Sequence, residues 1–196
     1  MFALMDRRRA ELKALYAGPG RHYHNETHIE ALLRHCAAVH ERLAAPAAVE
    51  LAIWYHDAVY VPLARDNEAQ SAALFRRHFA GLLAPELVTE VAAMILATER
   101  HLLPDTGPPA FLADCALFLD LDLSILGAPP DIFARYEAAI RQEYAAVPDA
   151  AYRTGRAAVL EGFQARNRLY FSDHFRVLLE APARRNLAAS LASLAQ

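Results

Sequence analysis

Pro46-Ala47-Ala48-Val49-Glu50-Leu51-Ala52-Ile53-Trp54-Tyr55-His56-Asp57-Ala58-Val59-Tyr60 is the stretch on which the fold reading turns. Its proline suits the first turn of a helix, and the helix is expected to end before Pro62. The run is almost wholly apolar, yet it carries the adjacent pair His56-Asp57. Burying an imidazole beside a carboxylate is unfavourable unless something pairs with both. A divalent cation does so, because it neutralises the carboxylate and takes the imidazole lone pair.

Working outward, the whole chain reads as helix. Ala, Leu, Glu and Arg dominate, β-branched runs are missing, and Gly and Pro recur as punctuation. The first helix is expected from about Phe2 to Ala17, stopped by Gly18-Pro19-Gly20. The second starts near Asn25 or Thr27, where Thr27-His28-Ile29-Glu30 has the form of a capping box and puts His28 in the first turn. Asp66 is read as the cap of the fourth helix, and Pro85 opens a fifth that runs to about His101. Pro108-Pro109 precede a sixth that ends at Gly127, Asp131 caps a seventh, and Pro148-Asp149 start an eighth. Ser172 and Pro182 begin two short closing helices. With no repeat, linker or boundary in view, the expectation is one all-α domain over 1–196 with short connections.

Composition narrows the function classes. At 55% hydrophobic and 22% charged, the chain has the make-up of an ordinary soluble globular protein. A net charge of −3 offers no basic footprint for nucleic acid. Cys36 and Cys115 form no disulfide framework, which suits reduced thiols and a cytoplasmic location. Residues 1–10 carry charges at Asp6, Arg7, Arg8 and Arg9, so neither a signal peptide nor a membrane span is expected there.

Metal-ligating residue types accumulate around the central pair. His24 and His28 are four apart, and if Thr27 is the cap His24 lies in the preceding loop, able to reach a cleft from the side. His56 and Asp57 point roughly 100° apart around a helix and still converge on an ion above the groove between them. Asp120 and Asp122 lie on different faces of theirs. Leu119, Ile125 and Leu126 share the side of Asp122, which turns it inward; Asp120 is the second choice. The set is therefore His28, His56, Asp57 and Asp122, mixed nitrogen and oxygen ligation that suits Mn, Mg, Co, Ni, Fe or Zn. Four protein ligands leave open positions on a six-coordinate ion, the pattern of a catalytic rather than a structural site.

Five segments in order carry a resemblance. They are Arg21-His22-Tyr23-His24-Asn25-Glu26-Thr27-His28-Ile29, Trp54-Tyr55-His56-Asp57-Ala58-Val59-Tyr60, Asp66-Asn67-Glu68-Ala69-Gln70-Ser71-Ala72, Ala97-Thr98-Glu99-Arg100-His101 and Leu119-Asp120-Leu121-Asp122-Leu123-Ser124-Ile125-Leu126-Gly127. Together they resemble a bacterial branch of the HD-domain superfamily made of small predicted metal-dependent phosphohydrolases. Arg141-Gln142-Glu143-Tyr144 and Ala183-Arg184-Arg185-Asn186-Leu187 extend the likeness over nearly the whole chain. The resemblance implies a single HD-domain-like helical bundle and hydrolysis of phosphate esters, often of nucleotides. The superfamily's ligand order of His, then His-Asp, then Asp falls on His28, His56-Asp57 and Asp122.

The remaining candidates each have two readings. Glu68 is either favourable charge in a first helical turn or a general base. Arg21 and Arg141 are either surface charge or a bidentate clamp on phosphate. By the family pattern His101 faces the cleft, in a substrate or outer-shell role, and His24, Glu68 or His101 would handle protons. Some superfamily members hold two metals and are oxygenases; His78 and His101 are the residues that would complete a second site, although His78 reads as a solvent-facing helix residue. The expected function is a metal-dependent phosphohydrolase acting on a small phosphorylated molecule, with Asp57 as both ligand and holder of the attacking water. A diiron oxygenase and a non-catalytic ligand-sensing module are the alternatives, and neither nucleic acid nor membrane is expected as a partner.

Overall fold

Pro46, Pro85, Pro109 and Pro130 each occupy the first position of a helix, where the missing N–H would have had no intrahelical partner. The computed structural model describes residues 2–196, with side chains from Arg8 onward. The helices are α1 (Phe2–Tyr16), α2 (Glu26–Ala38), α3 (Pro46–Tyr55), α4 (Asn67–Phe79), α5 (Pro85–Ala97), α6 (Pro109–Asp122), α7 (Pro130–Glu143), α8 (Asp149–Gln164) and α9 (Asp173–Leu194). Short 3-10 turns cover His40–Arg42 and Leu123–Gly127. The described residues contain no strand, so the protein is all-α. No described helix is long and apolar enough to cross a membrane.

The chain divides into two compact units, residues 1–121 and 122–196. The division falls between Leu121 and Asp122, the last residue of α6.

In the first unit α3 is the central rod, packed by α1, α2, α4 and α5. Its Ala48, Val49, Leu51, Ala52, Ile53, Trp54 and Tyr55 are all buried, as expected of a helix that is apolar all round. Phe75 and Phe79 of α4 meet the Tyr55 ring edge-on at 5.2 and 5.8 Å. The start of α3 is capped from far away: the buried Asp114 carboxylate accepts from Ala44 N at 2.8 Å and Ala45 N at 2.7 Å. Asp114→Ala is expected to lower stability by about 2 kcal/mol, the scale of a lost helix cap, read by urea denaturation. Cys36 and Cys115 are buried free thiols, and burial pushes their pKa values up to about 11 and about 12. Only thiolate reacts, and at pH 8 about one thiol in a thousand or fewer would be ionised. A disulfide reagent at that pH is expected to label neither cysteine in the native protein and both after unfolding.

In the second unit α7 and α9 pack on the turn at Leu123–Gly127, and α8 packs on α9. A side chain at Gly127 would come within 2.7 Å of Leu179 Cβ, so glycine is what lets α9 approach. Asn186 pins the turn by donating to Leu126 O at 2.8 Å and Ala128 O at 2.9 Å. The Arg156 guanidinium donates to Tyr136 Oη at 2.9 Å and pairs with Glu137, whose carboxylate also accepts from Ser190 Oγ at 2.8 Å. Arg184 joins Glu180 to the carbonyls of Gln164 and Arg166, a structural role.

Several helix ends differ from the sequence reading. Asn25 rather than Thr27 caps α2: its extended backbone turns Oδ1 onto Thr27 N at 2.9 Å and His28 N at 3.4 Å. Asp66 is the capping residue of α4 as expected, but its side chain makes no capping bond and accepts from Gln70 Nε2 at 2.9 Å instead. Asp131 lies inside α7, paired with Arg135, and Pro129 is the capping residue. α5 stops at Ala97, leaving His101 beyond it, and α6 stops at Asp122, where the chain tightens into the 3-10 turn. The two expected closing helices are one, α9, with Pro182 inside it. Proline there removes the bond to the Leu178 carbonyl; Leu178 is 56% exposed, so water reaches that part of the helix.

Candidate metal centre

Three helices deliver side chains to one point. The Asn25 cap makes His28 the third residue of α2, where its ring is buried and Tyr23 leans on it at 4.8 Å. His56 follows the last residue of α3 and keeps helical geometry, its N–H bonded to Ala52 O at 2.9 Å. Asp57 lies in the turn after it, so the pair sits at a helix end rather than along a helix. Asp122 is the last residue of α6.

The carbonyls at the end of α3 account for the orientation of His56. Ala52 O takes His56 N, Trp54 O takes Tyr16 Oη at 3.1 Å, and Tyr55 O takes Ala58 N at 3.1 Å. Ile53 O lies 2.9 Å from His56 Nδ1. A carbonyl can only accept, so Nδ1 carries a proton and Nε2 is the ring nitrogen turned toward the cluster. Phe118 of α6 meets the ring edge-on at 5.9 Å and holds its tilt. A backbone carbonyl on one ring nitrogen with the other aimed into a cluster is the usual support of a metal-binding histidine.

His28 Nε2 faces His56 Nε2 at 3.3 Å. Asp57 Oδ2 is 2.9 Å from His56 Nε2 and 3.8 Å from His28 Nε2. One donor atom each of His28, His56 and Asp122 lies within 4.8 Å of the others, and two of the three residues are buried. Among the described residues this is the group of three or more His, Cys, Asp or Glu donors close enough to share an ion. Two imidazoles and nearby carboxylates fit a divalent transition metal. The site also stands at the C-terminal ends of α3 and α6, where the helix dipole favours positive charge.

The other sequence candidates fall as follows. The His24 ring stacks on Tyr60 at 4.1 Å, meets Tyr23 edge-on at 5.1 Å, and lies 6.3 Å from the His28 ring, so it stands beside the cluster. Glu68 is half-buried in the first turn of α4. His101 lies in the turn beyond α5 with φ +48°, a left-handed conformation uncommon for residues other than glycine. Asp120 is fully buried, while the half-buried Asp122 is the carboxylate that joins the imidazoles. Arg21 is half-buried and bonded to three backbone carbonyls of the first unit. Arg141 belongs to the second unit, where it donates to Tyr144 O and lies over the Tyr152 ring at 4.6 Å. His78 is half-buried rather than fully solvent-facing: its Nδ1 is 2.8 Å from Tyr55 Oη, and burial followed by nearby Arg8 lowers its pKa. It is not among the donors of the His28, His56 and Asp122 group.

Sequence reasoning missed the Ile53 carbonyl and Phe118, which orient His56, and left the cap that places His28 open between Asn25 and Thr27. For Ile53 no side-chain signal exists, since the group that acts is backbone. Comparison with protein-family models, with curated proteins and with solved structures finds no match to this chain.

Proposed function

We propose that this protein is a metal-dependent hydrolase of small phosphate esters. The observation that carries the reading is the convergence of His28, His56 and Asp122 from three helices, with Asp57 against both imidazoles. The ordered His, His-Asp and Asp pattern of the sequence adds support through its resemblance to HD-type phosphohydrolases. A divalent ion bound by these residues would supply Lewis acidity and lower the pKa of a water molecule. Two imidazole ligands favour Mn, Fe, Co, Ni or Zn over Mg, which prefers oxygen.

The chain's own groups divide the remaining work. Asp57 sits at the edge of the cluster with its side chain 15% exposed, suited to ligate and to orient a water at once. His24 stands next to His28 and can pass a proton at the mouth of the site, and Glu68 or His101 would serve the leaving group. The two buried thiols fit a reducing, cytoplasmic setting.

The test is elemental analysis of protein purified without chelator, followed by a panel of small phosphoesters with added Mn, Co, Ni or Mg. The expected result is about one metal per chain and phosphate release that proceeds equally well without oxygen. Protein that takes up no metal, or turnover that requires oxygen, would refute the proposal.

A further inference from the structure

We infer that Arg21 is a positioning residue that braces the turn carrying Asp57, rather than a ligand for phosphate. The inference rests on the metal-site reading above. Arg21 lies between α1 and α2, and its guanidinium donates to His24 O at 2.9 Å, Asp57 O at 2.8 Å and Ala58 O at 3.0 Å. The same plane lies over the Tyr16 ring at 5.1 Å and the Tyr60 ring at 5.6 Å. Tyr60 in turn stacks on His24, so aromatic and cationic planes run from the end of α1 through Arg21 to the mouth of the cluster.

Each partner of Arg21 belongs to the site or holds it. Carbonyls just past a helix end have no intrahelical donor, and those of Asp57 and Ala58 follow the end of α3. A guanidinium suits them because its rigid fork can serve several oxygens while its faces stack on aromatic rings. Holding the Asp57 and Ala58 carbonyls fixes the backbone on which the Asp57 carboxylate is set against His56 and His28. The His24 bond ties the loop before α2 to that same turn. A lysine carries the charge, but its three donors radiate from one nitrogen and it has no planar face, so it does not match both the spread of the carbonyls and the two rings. A guanidinium committed in this way is poorly placed to clamp a phosphate.

Two variants and two measurements test the assignment. Ala58 N–H is bonded to Tyr55 O and Val59 N–H to Ser71 Oγ at 3.0 Å, so their hydrogen exchange reports on the turn without any metal. In Arg21→Gln, exchange at Ala58 and Val59 is expected to quicken about ten-fold or more while amides in the middle of α3 keep their rates. Titration with Co(II) is expected to show affinity weakened about ten-fold or more and an altered visible spectrum. Arg21→Lys is expected to fall between wild type and Arg21→Gln, and it carries the test if Arg21→Gln does not fold. Unchanged exchange at Ala58 and Val59 with unchanged Co(II) affinity would overturn the inference. So would a uniform rise in exchange with Co(II) affinity intact, or intact metal binding with weakened binding of inorganic phosphate. Wild-type protein that takes up no Co(II) would instead refute the metal reading, and the exchange comparison would still decide the brace.

Discussion

Asp57→Ala is expected to lose metal-dependent phosphate release by at least about a hundred-fold while the helical fold persists, because a ligand and the group that orients the water go together. Two features make the fold expectation specific. The bonds that Arg21 makes to this residue use the Asp57 carbonyl, which alanine retains. The carboxylate is partly exposed, so in metal-free protein water can take its place and its removal should cost about 1 kcal/mol, well short of unfolding. Circular dichroism and a denaturation midpoint read the fold, elemental analysis reads the metal, and phosphate release reads activity. Full activity in a variant shown to be metal-free would place the chemistry elsewhere. Asp57→Asn separates the two roles further, since it keeps size and hydrogen bonding while losing the charge that a cation requires.

The second large effect lies in the other unit and concerns stability alone. Glu137→Ala is expected to destabilise the protein by about 3 kcal/mol or more, because it leaves the Arg156 cation buried without its carboxylate. Tyr136 cannot substitute. Burial pushes its phenol pKa up, so its hydroxyl stays neutral and offers only a lone pair to the guanidinium. Ser190 loses its acceptor as well. The contrast is the double variant Arg156→Met with Glu137→Leu, which removes both charges and should recover most of the loss, since apolar replacement of a buried pair is often neutral. Denaturant unfolding of the variants measures the difference. A loss below about 1 kcal/mol for Glu137→Ala would mean that water solvates the abandoned cation.

What could be read from the sequence follows from the range of the interactions. α3 was legible because it is apolar on every side, and its start because proline is tolerated at a first helical turn. Asp122 does join the imidazoles, but not for the reason of helical spacing: α6 ends at Asp122, Ile125 and Leu126 lie in the 3-10 turn, and Asp120 is the more deeply buried of the two carboxylates. Ends were harder. Asn25 and Thr27 are both good capping residues, and the choice is made by the extended backbone at Asn25, which composition does not encode. Pro182 looked like a helix start, yet α9 runs through it because Phe175, Ala183, Asn186 and Leu187 are buried on both sides of it. Side chains that act across the chain were least legible. The Arg21 guanidinium meets carbonyls 36 and 37 residues away, and Asp114 caps a helix start 69 and 70 residues before it. Nothing in the local sequence of an arginine or an aspartate records such partners.

The candidate metal donors have the same long reach along the chain, His56 lying 28 positions after His28 and Asp122 on a third helix. An unfolded chain therefore holds no preformed site, and an ion bound there only in the folded state, as proposed above, would raise the melting temperature by mass action. At a hundred times its dissociation constant the gain is about 2.7 kcal/mol, several degrees for a chain of this size. A melting series over divalent ions would rank the metals by affinity before any substrate is known.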